Sequence, residues 1–556
     1  MQLKVLHIRI LIFFGGLLIF VPFWGQVHLF DWDEINFAES AREMLLSSDF
    51  LNVQIDYNVF WEKPPLFIWM QALSMKIFGV NEFAARLPNA ICGAFTLLVL
   101  FNFGRHVYGQ KFGLLWVLVY VGSILPLVYF KSGIIDPWFN LFIFLGVYYF
   151  IIYQDTLIYR SKSDRIDIAL SALFLGLAVL TKGLLGFLFP GAAALIYMVY
   201  KKDFLLFRQK ATLLGFLLFL LISLPWHIVM YNMHGQFFID EYFGNVHLRR
   251  VLGAEHRRLD NWYFYFALMF AGVLPWSLFW FPTIKKVFSE IKNKTKESDW
   301  LIFLIGWITS VLIFTQPAAS KLASYIFPLF PSVAILLAFY LDSAIARAAD
   351  AKKSLGLMIC GYAMVAVLIG VIIGGNIAGR MYLNVIGSLH PILIASFFVA
   401  LIACLITFFN LRRQYLLMLF SYVGISATLL VMLFFAKPYI EPWVSCKDVS
   451  QALNKIDTTN SRVLASKFYV RGVRFYTDRK MAVIDIAGKG FWSPHPIPFL
   501  STDQMVIDYL NEEKVNYAVV KEGNVQDLYR ILKDRSYKIE NLFGIGGKYI
   551  LRITKL

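Results

Sequence analysis

Acids and cations stand together at the ends of apolar runs in this chain, and those are the places where its chemistry is expected. The first such group reads Phe30-Asp31-Trp32-Asp33-Glu34-Ile35-Asn36-Phe37-Ala38-Glu39 and directly follows an apolar run. A carboxylate such as Asp33 or Glu34 can take a proton or orient a polar substrate. Helix capping is the competing explanation, and Asp31 or Asp33 would satisfy it. Capping accounts for one acid and does not call for Asp33 and Glu34 side by side. Phe37, Ala41, Met44 and Leu45 recur at helical spacing, so the helix that follows is expected to lie flat in a membrane interface. The second group is Phe60-Trp61-Glu62-Lys63-Pro64-Pro65-Leu66. Its two prolines break any helix and present Glu62 and Lys63 from a stiff, extended turn. A loop lysine is usually just solvated. Lys63 sits beside Trp61 and ahead of an apolar stretch, where an ammonium suits a phosphate.

Four further positions carry the same kind of signal. Asp136, in Ile135-Asp136-Pro137-Trp138, fits a helix cap with proline at the first helical position. Lys182, in Leu180-Thr181-Lys182-Gly183, ends an apolar run, and intramembrane lysines tend to be functional. His247, Arg249 and Arg250 are followed by Glu255-His256-Arg257-Arg258, so four arginines gather in one loop. Lipid headgroups would satisfy them; a bound phosphate matches the guanidinium fork more specifically. Lys321 and Tyr325 open another apolar run, where Tyr325 alone reads as an interfacial belt tyrosine.

The elements that must hold these residues are membrane helices. Of 556 residues, 59% are hydrophobic and 17% aromatic, and the mean hydropathy is +0.63. That is far too apolar for a soluble chain of this length. The net charge of +16 falls in short blocks between apolar runs, which fits the positive-inside rule rather than nucleic acid. Cys92, Cys360, Cys404 and Cys446 are scattered, with neither metal-ligand spacing nor a disulfide framework. No Walker loop, GxGxxG turn or HExxH helix occurs, which argues against an ATP-driven pump. Lys4 and Arg9 before the run from Ile10 to Phe23 imitate a signal peptide, but Pro22-Phe23-Trp24 is a poor cleavage context, so this run is expected to remain as a first span.

Thirteen spans are expected, near 8–28, 82–104, 112–130, 137–153, 167–181, 183–200, 211–231, 262–283, 300–315, 323–345, 354–376, 389–410 and 415–436. Alternate loops are basic. They hold Arg105 and Lys111; Arg160, Lys162 and Arg165; Lys201, Lys202, Arg208 and Lys210; Lys285 to Lys296; Arg347, Lys352 and Lys353; Arg412 and Arg413. The N-terminus is therefore expected in the cytoplasm, and the odd count puts the C-terminus in the periplasm. Residues 1–436 form the membrane domain. Residues 437–556 form a small periplasmic α/β domain, with strands at Val463 to Ala465, Met481 to Ile484, Tyr517 to Val520 and Tyr549 to Leu551, and helices at Gln504 to Leu510 and Val525 to Leu532. The fold class is thus an all-α polytopic membrane domain with a C-terminal α/β domain.

In order along the chain, these segments resemble the ArnT family of bacterial lipid A aminoarabinose transferases. That family groups with the protein O-mannosyltransferases among the GT-C glycosyltransferases. The resemblance rests on Asp33-Glu34, Ala38-Glu39, Arg42-Glu43-Met44, Glu62-Lys63-Pro64-Pro65 and Leu87-Pro88-Asn89. It continues through Asp136-Pro137, Thr181-Lys182-Gly183, Pro225-Trp226, His247 with Arg250, Leu274-Pro275-Trp276-Ser277 and Ser320-Lys321-Leu322 with Tyr325. It covers about residues 1–345. The chain has Asn36-Phe37 where family members commonly carry a tyrosine and an arginine.

The resemblance implies a polyprenyl-phosphate-linked sugar as donor and lipid A, another glycan or a protein as acceptor. It implies Asp33 at the sugar centre, Lys63, Arg250 and Tyr325 on the donor phosphate, and Glu62 and Asp136 orienting the site. Glu34, Arg249, His247, Lys182 and Lys321 are further candidates. The chain is expected to be a monomeric inner-membrane protein that contacts membrane lipids and no nucleic acid. No cofactor is assigned, and a divalent ion at acids such as Asp33 and Glu34 stays open. Two rivals remain: a protein O-mannosyltransferase-like enzyme acting on Ser or Thr, and a lipid or sugar transporter. A transporter's site is expected near the bilayer midplane, whereas the charges here gather at one face.

Overall fold

The computed structural model describes residues 2–31, 33–158, 165–249, 261–318, 321–347, 355–381, 388–486, 488, 496–533 and 535–556. Its helical part begins with α1 (Gln2–Phe20), α2 (Asp33–Ser47), α3 (Leu66–Phe78), α4 (Glu82–Tyr108), α5 (Gln110–Gly122), α6 (Ile124–Tyr129) and α7 (Asp136–Ile158). A two-stranded hairpin, β1 (Gln54–Ile55) and β2 (Asn58–Val59), lies between α2 and α3. The bundle continues through α8 (Arg165–Lys182), α9 (Leu185–Lys201), α10 (Lys210–His234), α11 (Phe264–Gly272), α12 (Trp280–Lys292) and α13 (Ser298–Thr315). It ends with α14 (Phe330–Ala346), α15 (Leu355–Met381), α16 (His390–Leu411) and α17 (Tyr415–Val444).

Each expected span falls on one of these helices or on a pair of them. Among the described residues, eight helices are long and apolar enough to cross a bilayer, or nine if the bent pair α11–α12 is one span. The apolar parts of α1, α5 and α9 are shorter, and α8 carries Arg165, Asp167 and Lys182. The expected single span at 262–283 is instead two helical pieces bent by 109°. Pro275 stands at the break, where it has no N–H to continue a helical ladder. Close helix approach depends on small residues. A Cβ on Gly104 would stand 2.7 Å from the Gly113 Cα, and one on Gly113 would stand 2.6 Å from the Phe101 carbonyl oxygen, so α4 and α5 meet backbone to backbone.

Helix α17 has 30 residues, about 45 Å at 1.5 Å per residue, and leads directly into the C-terminal domain. There α18 (Lys447–Ile456), β3 (Val463–Ser466), α19 (Val470–Thr477), β4 (Met481–Ile484), β5 (Phe499–Leu500) and α20 (Asp503–Asn511) follow. The chain closes with β6 (Val515–Lys521), α21 (Glu522–Leu532), β7 (Tyr537–Ile545) and β8 (Lys548–Lys555). The sheet order is β5-β4-β3-β6-β8-β7. The first four strands are parallel, with Val463 opposite both Met481 and Tyr517, and β8 runs antiparallel to β6 and β7. All four residues of β3 and of β4 are buried, as parallel strands covered on both faces must be.

The two faces of this sheet have different partners. One packs on α20 and α21 through Val506, Leu510, Leu528 and Ile531. The other shares a hydrophobic core with α2 and α3, in which Val463, Val470, Val473 and Val483 meet Ile35, Phe37, Ala41, Met44 and Phe67. This corrects the expectation that α2 lies flat in a lipid interface. Residues Glu34 to Met44 are buried on every side of the helix, because the C-terminal domain covers the face that would otherwise meet headgroups.

Candidate functional site

Asp33 and Glu34 both begin α2, and the fold sends their side chains to different tasks. Glu34 is buried. Its Oε1 accepts from Arg86 Nε at 2.7 Å and from the Gly133 N–H at 2.6 Å, and its Oε2 accepts from Arg86 Nη2 at 2.7 Å and from the Phe30 N–H at 2.9 Å. Arg86 also donates to the carbonyls of Val27 and His28, at 2.7 and 2.8 Å. One carboxylate therefore ties the first loop, α4 and the turn before α7 together. Gly133 suits this close approach, since a Cβ would stand 3.0 Å from the Ala85 carbonyl oxygen. Asn89, on the same face of α4, holds that turn from below by donating to the carbonyls of Ser132 and Ile134, at 2.5 and 2.6 Å.

Asp33 keeps solvent-exposed surface, yet protein surrounds it closely enough that desolvation raises its carboxyl above the usual aspartate range. Glu62 and then Asp136 push it further in the same direction, while Lys63 and Lys182 oppose them. Those four neighbours are the sequence candidates from three separate segments, now within electrostatic reach of one carboxyl. Asp136 begins α7, so its capping position and its place in the cluster are compatible. It is buried and salt-bridged to the buried Lys182, the last residue of α8. The Lys182 ammonium also lies 5.3 Å from the centre of the Tyr325 ring and 5.5 Å from that of Phe139. The ring contact brings Tyr325, half-buried in the 3-10 turn Ala323–Leu329, to the same place.

Glu62 and Lys63 are half-buried at the end of the segment that runs from the hairpin to α3. The chain on both sides of the hairpin is braced from α10. Trp226 Nε1 donates to the Leu51 carbonyl at 3.0 Å, His234 Nε2 lies 2.8 Å from Asn52 Oδ1, and the His234 ring meets Trp61 edge-on at 4.8 Å. Lys321 is buried and donates to the Ala318 carbonyl at 3.0 Å. Arg249 ends the π-helical segment Ile239–Arg249, where it is exposed and reaches Asn245 Oδ1 at 3.4 Å. The His247 side chain, and all of Arg250, lie outside the described residues.

Three participants escaped the sequence. Arg86 clamps Glu34; a lone arginine inside an apolar run was the available signal. Tyr129 lies within electrostatic reach of Asp136 and Asp33, and Tyr265 within reach of Tyr325; both looked like ordinary apolar-run tyrosines. Among the described residues no three His, Cys, Asp or Glu side chains converge on a point that could hold a metal ion. Glu34 in particular has both oxygens committed to Arg86 and backbone N–H groups.

Residues 62–228 match the family model of the dolichyl-phosphate-mannose-protein mannosyltransferases. That match begins at Glu62 and takes in Lys63, Asp136 and Lys182. The chain is 27% identical over 351 residues to the undecaprenyl phosphate-alpha-4-amino-4-deoxy-L-arabinose arabinosyl transferase of Pseudomonas aeruginosa strain LESB58, covering 60% of this chain and 61% of that one. It is 24% identical over 380 residues to the transferase of the same name from Serratia proteamaculans, covering 67% and 66%. The alignments thus span about three fifths to two thirds of these relatives' lengths. The crystal structure of ArnT from Cupriavidus metallidurans bound to undecaprenyl phosphate superposes with a TM-score of 0.79 at 19% identity, over 98% of this chain and 97% of that one. In sequence and in fold the chain is similar to the ArnT-type glycosyltransferases. Its fold is theirs from the first helix to the C-terminal sheet, and it is a multi-pass membrane protein.

Proposed function

We propose that this chain transfers a sugar from a polyprenyl-phosphate donor to a lipid acceptor of the lipid A kind. The reaction occurs at the periplasmic face, on the end of the bundle that carries the C-terminal domain. The observation that carries this reading is the convergence of Glu62, Lys63, Asp136 and Lys182, from three segments, onto the Asp33 carboxyl. The resemblance to the named arabinosyl transferases supports the donor class.

The chemistry follows from charge. As the glycosidic bond breaks, the polyprenyl phosphate leaves with growing negative charge. Fixed cations at that oxygen stabilise the transition state; removal of a single hydrogen-bond donor from an oxyanion hole costs about 2.7–4 kcal/mol. Lys63, Arg250 and Tyr325 are assigned to the phosphate. Asp136 holds Lys182 in place, and Glu62 orients the site with it. Asp33 takes the proton of an acceptor hydroxyl, for which a carboxyl raised toward neutrality is suited. If the acceptor is an already ionised phosphate, Asp33 orients it. A single displacement inverts the anomeric carbon.

The mannosyltransferase family match favours a second reading, with a protein Ser or Thr as acceptor. Incubating membranes holding the full chain with a labelled polyprenyl-phosphate sugar separates the two. Label in a lipid other than the donor is the expected result, label in protein supports the second reading, and movement of label across the membrane without a new covalent product overturns both.

A further inference from the structure

Helix α19 of the C-terminal domain touches both chain segments that carry the proposed catalytic groups. On one side, Gly472 lies so close to Asp31 that a Cβ would stand 2.2 Å from its Oδ1; Asp31 precedes Asp33 by two residues. On the other side, the Arg471 guanidinium stands 5.1 Å from the centre of the Phe60 ring, two residues before Glu62. Between them, buried Arg474 reaches three acids. Its Nε lies 3.2 Å from Glu39 Oε1 and 3.1 Å from Glu43 Oε1, and its Nη1 lies 2.8 Å from Asp56 Oδ1. Glu39 and Glu43 belong to α2, and Asp56 sits at the tip of the β1–β2 hairpin.

The hairpin depends on the same group of residues. Asp56 and Tyr57 form its turn with φ of 58° and 56°, a left-handed conformation that side chains disfavour. Glu43 Oε1 and Oε2 accept their two N–H groups, each at 2.9 Å. Arg42 forks onto Glu39 at 2.8 and 2.9 Å and reaches Asp478 at 3.0 Å. Four carboxylates thus share two guanidiniums. Without Arg474, Glu39, Glu43 and Asp56 would face one another across the joint between α2 and the hairpin, and buried like charges repel strongly.

We propose that Arg474 is a positioning residue: carried by the C-terminal domain, it fixes α2 against the β1–β2 hairpin and so sets where Asp33 stands relative to Glu62 and Lys63. The proposal rests on the functional reading above for what those three residues do. It assigns the C-terminal domain a part in the alignment of the site, made by one side chain more than 400 residues away in sequence from the groups it aligns. Burial also raises the Glu39 carboxyl to about 7 despite its pairing with Arg42, so this joint loses its best charge balance when Glu39 ionises fully.

The test uses the full chain in lipid nanodiscs, with Arg474→Ala, Arg474→Lys, Glu43→Gln and, as a control at an exposed pair with Asp503, Arg530→Ala. Amide exchange is followed in residues 33–47 and 54–63, and sugar transfer is measured at saturating polyprenyl-phosphate donor. Arg474→Ala is expected to speed exchange in both segments while helix α14 keeps its protection. It is also expected to lower the saturated rate at least tenfold. Arg474→Lys restores most of that loss, and Arg530→Ala changes nothing. If Arg474→Ala does not fold, Glu43→Gln carries the test, with faster exchange at 54–63 and a several-fold lower saturated rate. Wild-type exchange in both segments overturns the proposal, as does faster exchange with an unchanged saturated rate. If the wild-type chain transfers no sugar, the functional reading fails, and the exchange result alone decides whether Arg474 couples the two segments.

Discussion

Burial raises the Asp33 carboxyl, Glu62 and Asp136 raise it further, and Lys63 and Lys182 pull it back. A base must be ionised to take a proton, so transfer is expected to increase with pH through this raised value. Replacing Glu62 with Gln removes a neighbouring negative charge, lowers the Asp33 value and moves the rising limb to lower pH; a pH–rate profile of the variant checks the direction. Asp33→Asn removes the base outright and is expected to lower the rate by about 10²–10⁴-fold. Lys63→Ala is expected to lose about a hundredfold or more in saturated rate, since a fixed cation at the leaving oxygen acts in the transition state. At this scale the sequence was informative where charge broke a pattern. Glu62, Lys63 and Lys182 stood out as charges at membrane exits. Glu34 and Asp33 looked alike, because adjacent acids carry no mark of which one a distant arginine will claim. Arg86 shows that claim only once α4 is packed against the first loop.

The elements position the site through a few clamps rather than through the bundle as a whole. Glu34 and Arg86 join three segments by four hydrogen bonds to one carboxylate. Glu34→Gln keeps the shape and leaves Arg86 buried without its counter-charge, which typically costs about 3–5 kcal/mol. A clearly lowered melting temperature of the solubilised chain is the expected readout. A base or nucleophile at this position would instead lose rate with its stability intact. The helices were legible because long apolar runs have one solution in a bilayer. The break between α11 and α12 was marked by Pro275 but reads as one run by hydropathy. Helices α18 and α19 were hidden because they are short and polar, with Arg474 buried against acids that lie more than 400 residues earlier. Strand β7 escaped because its residues are largely half-buried or exposed.

Across the whole molecule, the C-terminal domain and the first loop share a core and a set of buried charges. Asp31 lies at that seam, where its backbone N–H donates to the Val444 carbonyl and the Cys446 thiol donates to its Oδ2, at 2.9 and 3.0 Å. Burial raises its carboxyl to about 7, against an ordinary value near 4. The folded chain therefore holds a proton there that the unfolded chain releases. This group's contribution is fully present on the acid side and is lost as pH rises from about 4 through about 7. The melting temperature is expected to fall across the upper part of that window, and Asp31→Asn is expected to flatten the fall.

Whether the cluster around Asp33 performs sugar transfer is decided by following a labelled sugar from undecaprenyl phosphate into a lipid acceptor, with purified wild-type chain and with Asp33→Asn. The wild type is expected to form a new labelled lipid, and the variant to form it at least a hundredfold more slowly. Equal rates from both would contradict that role.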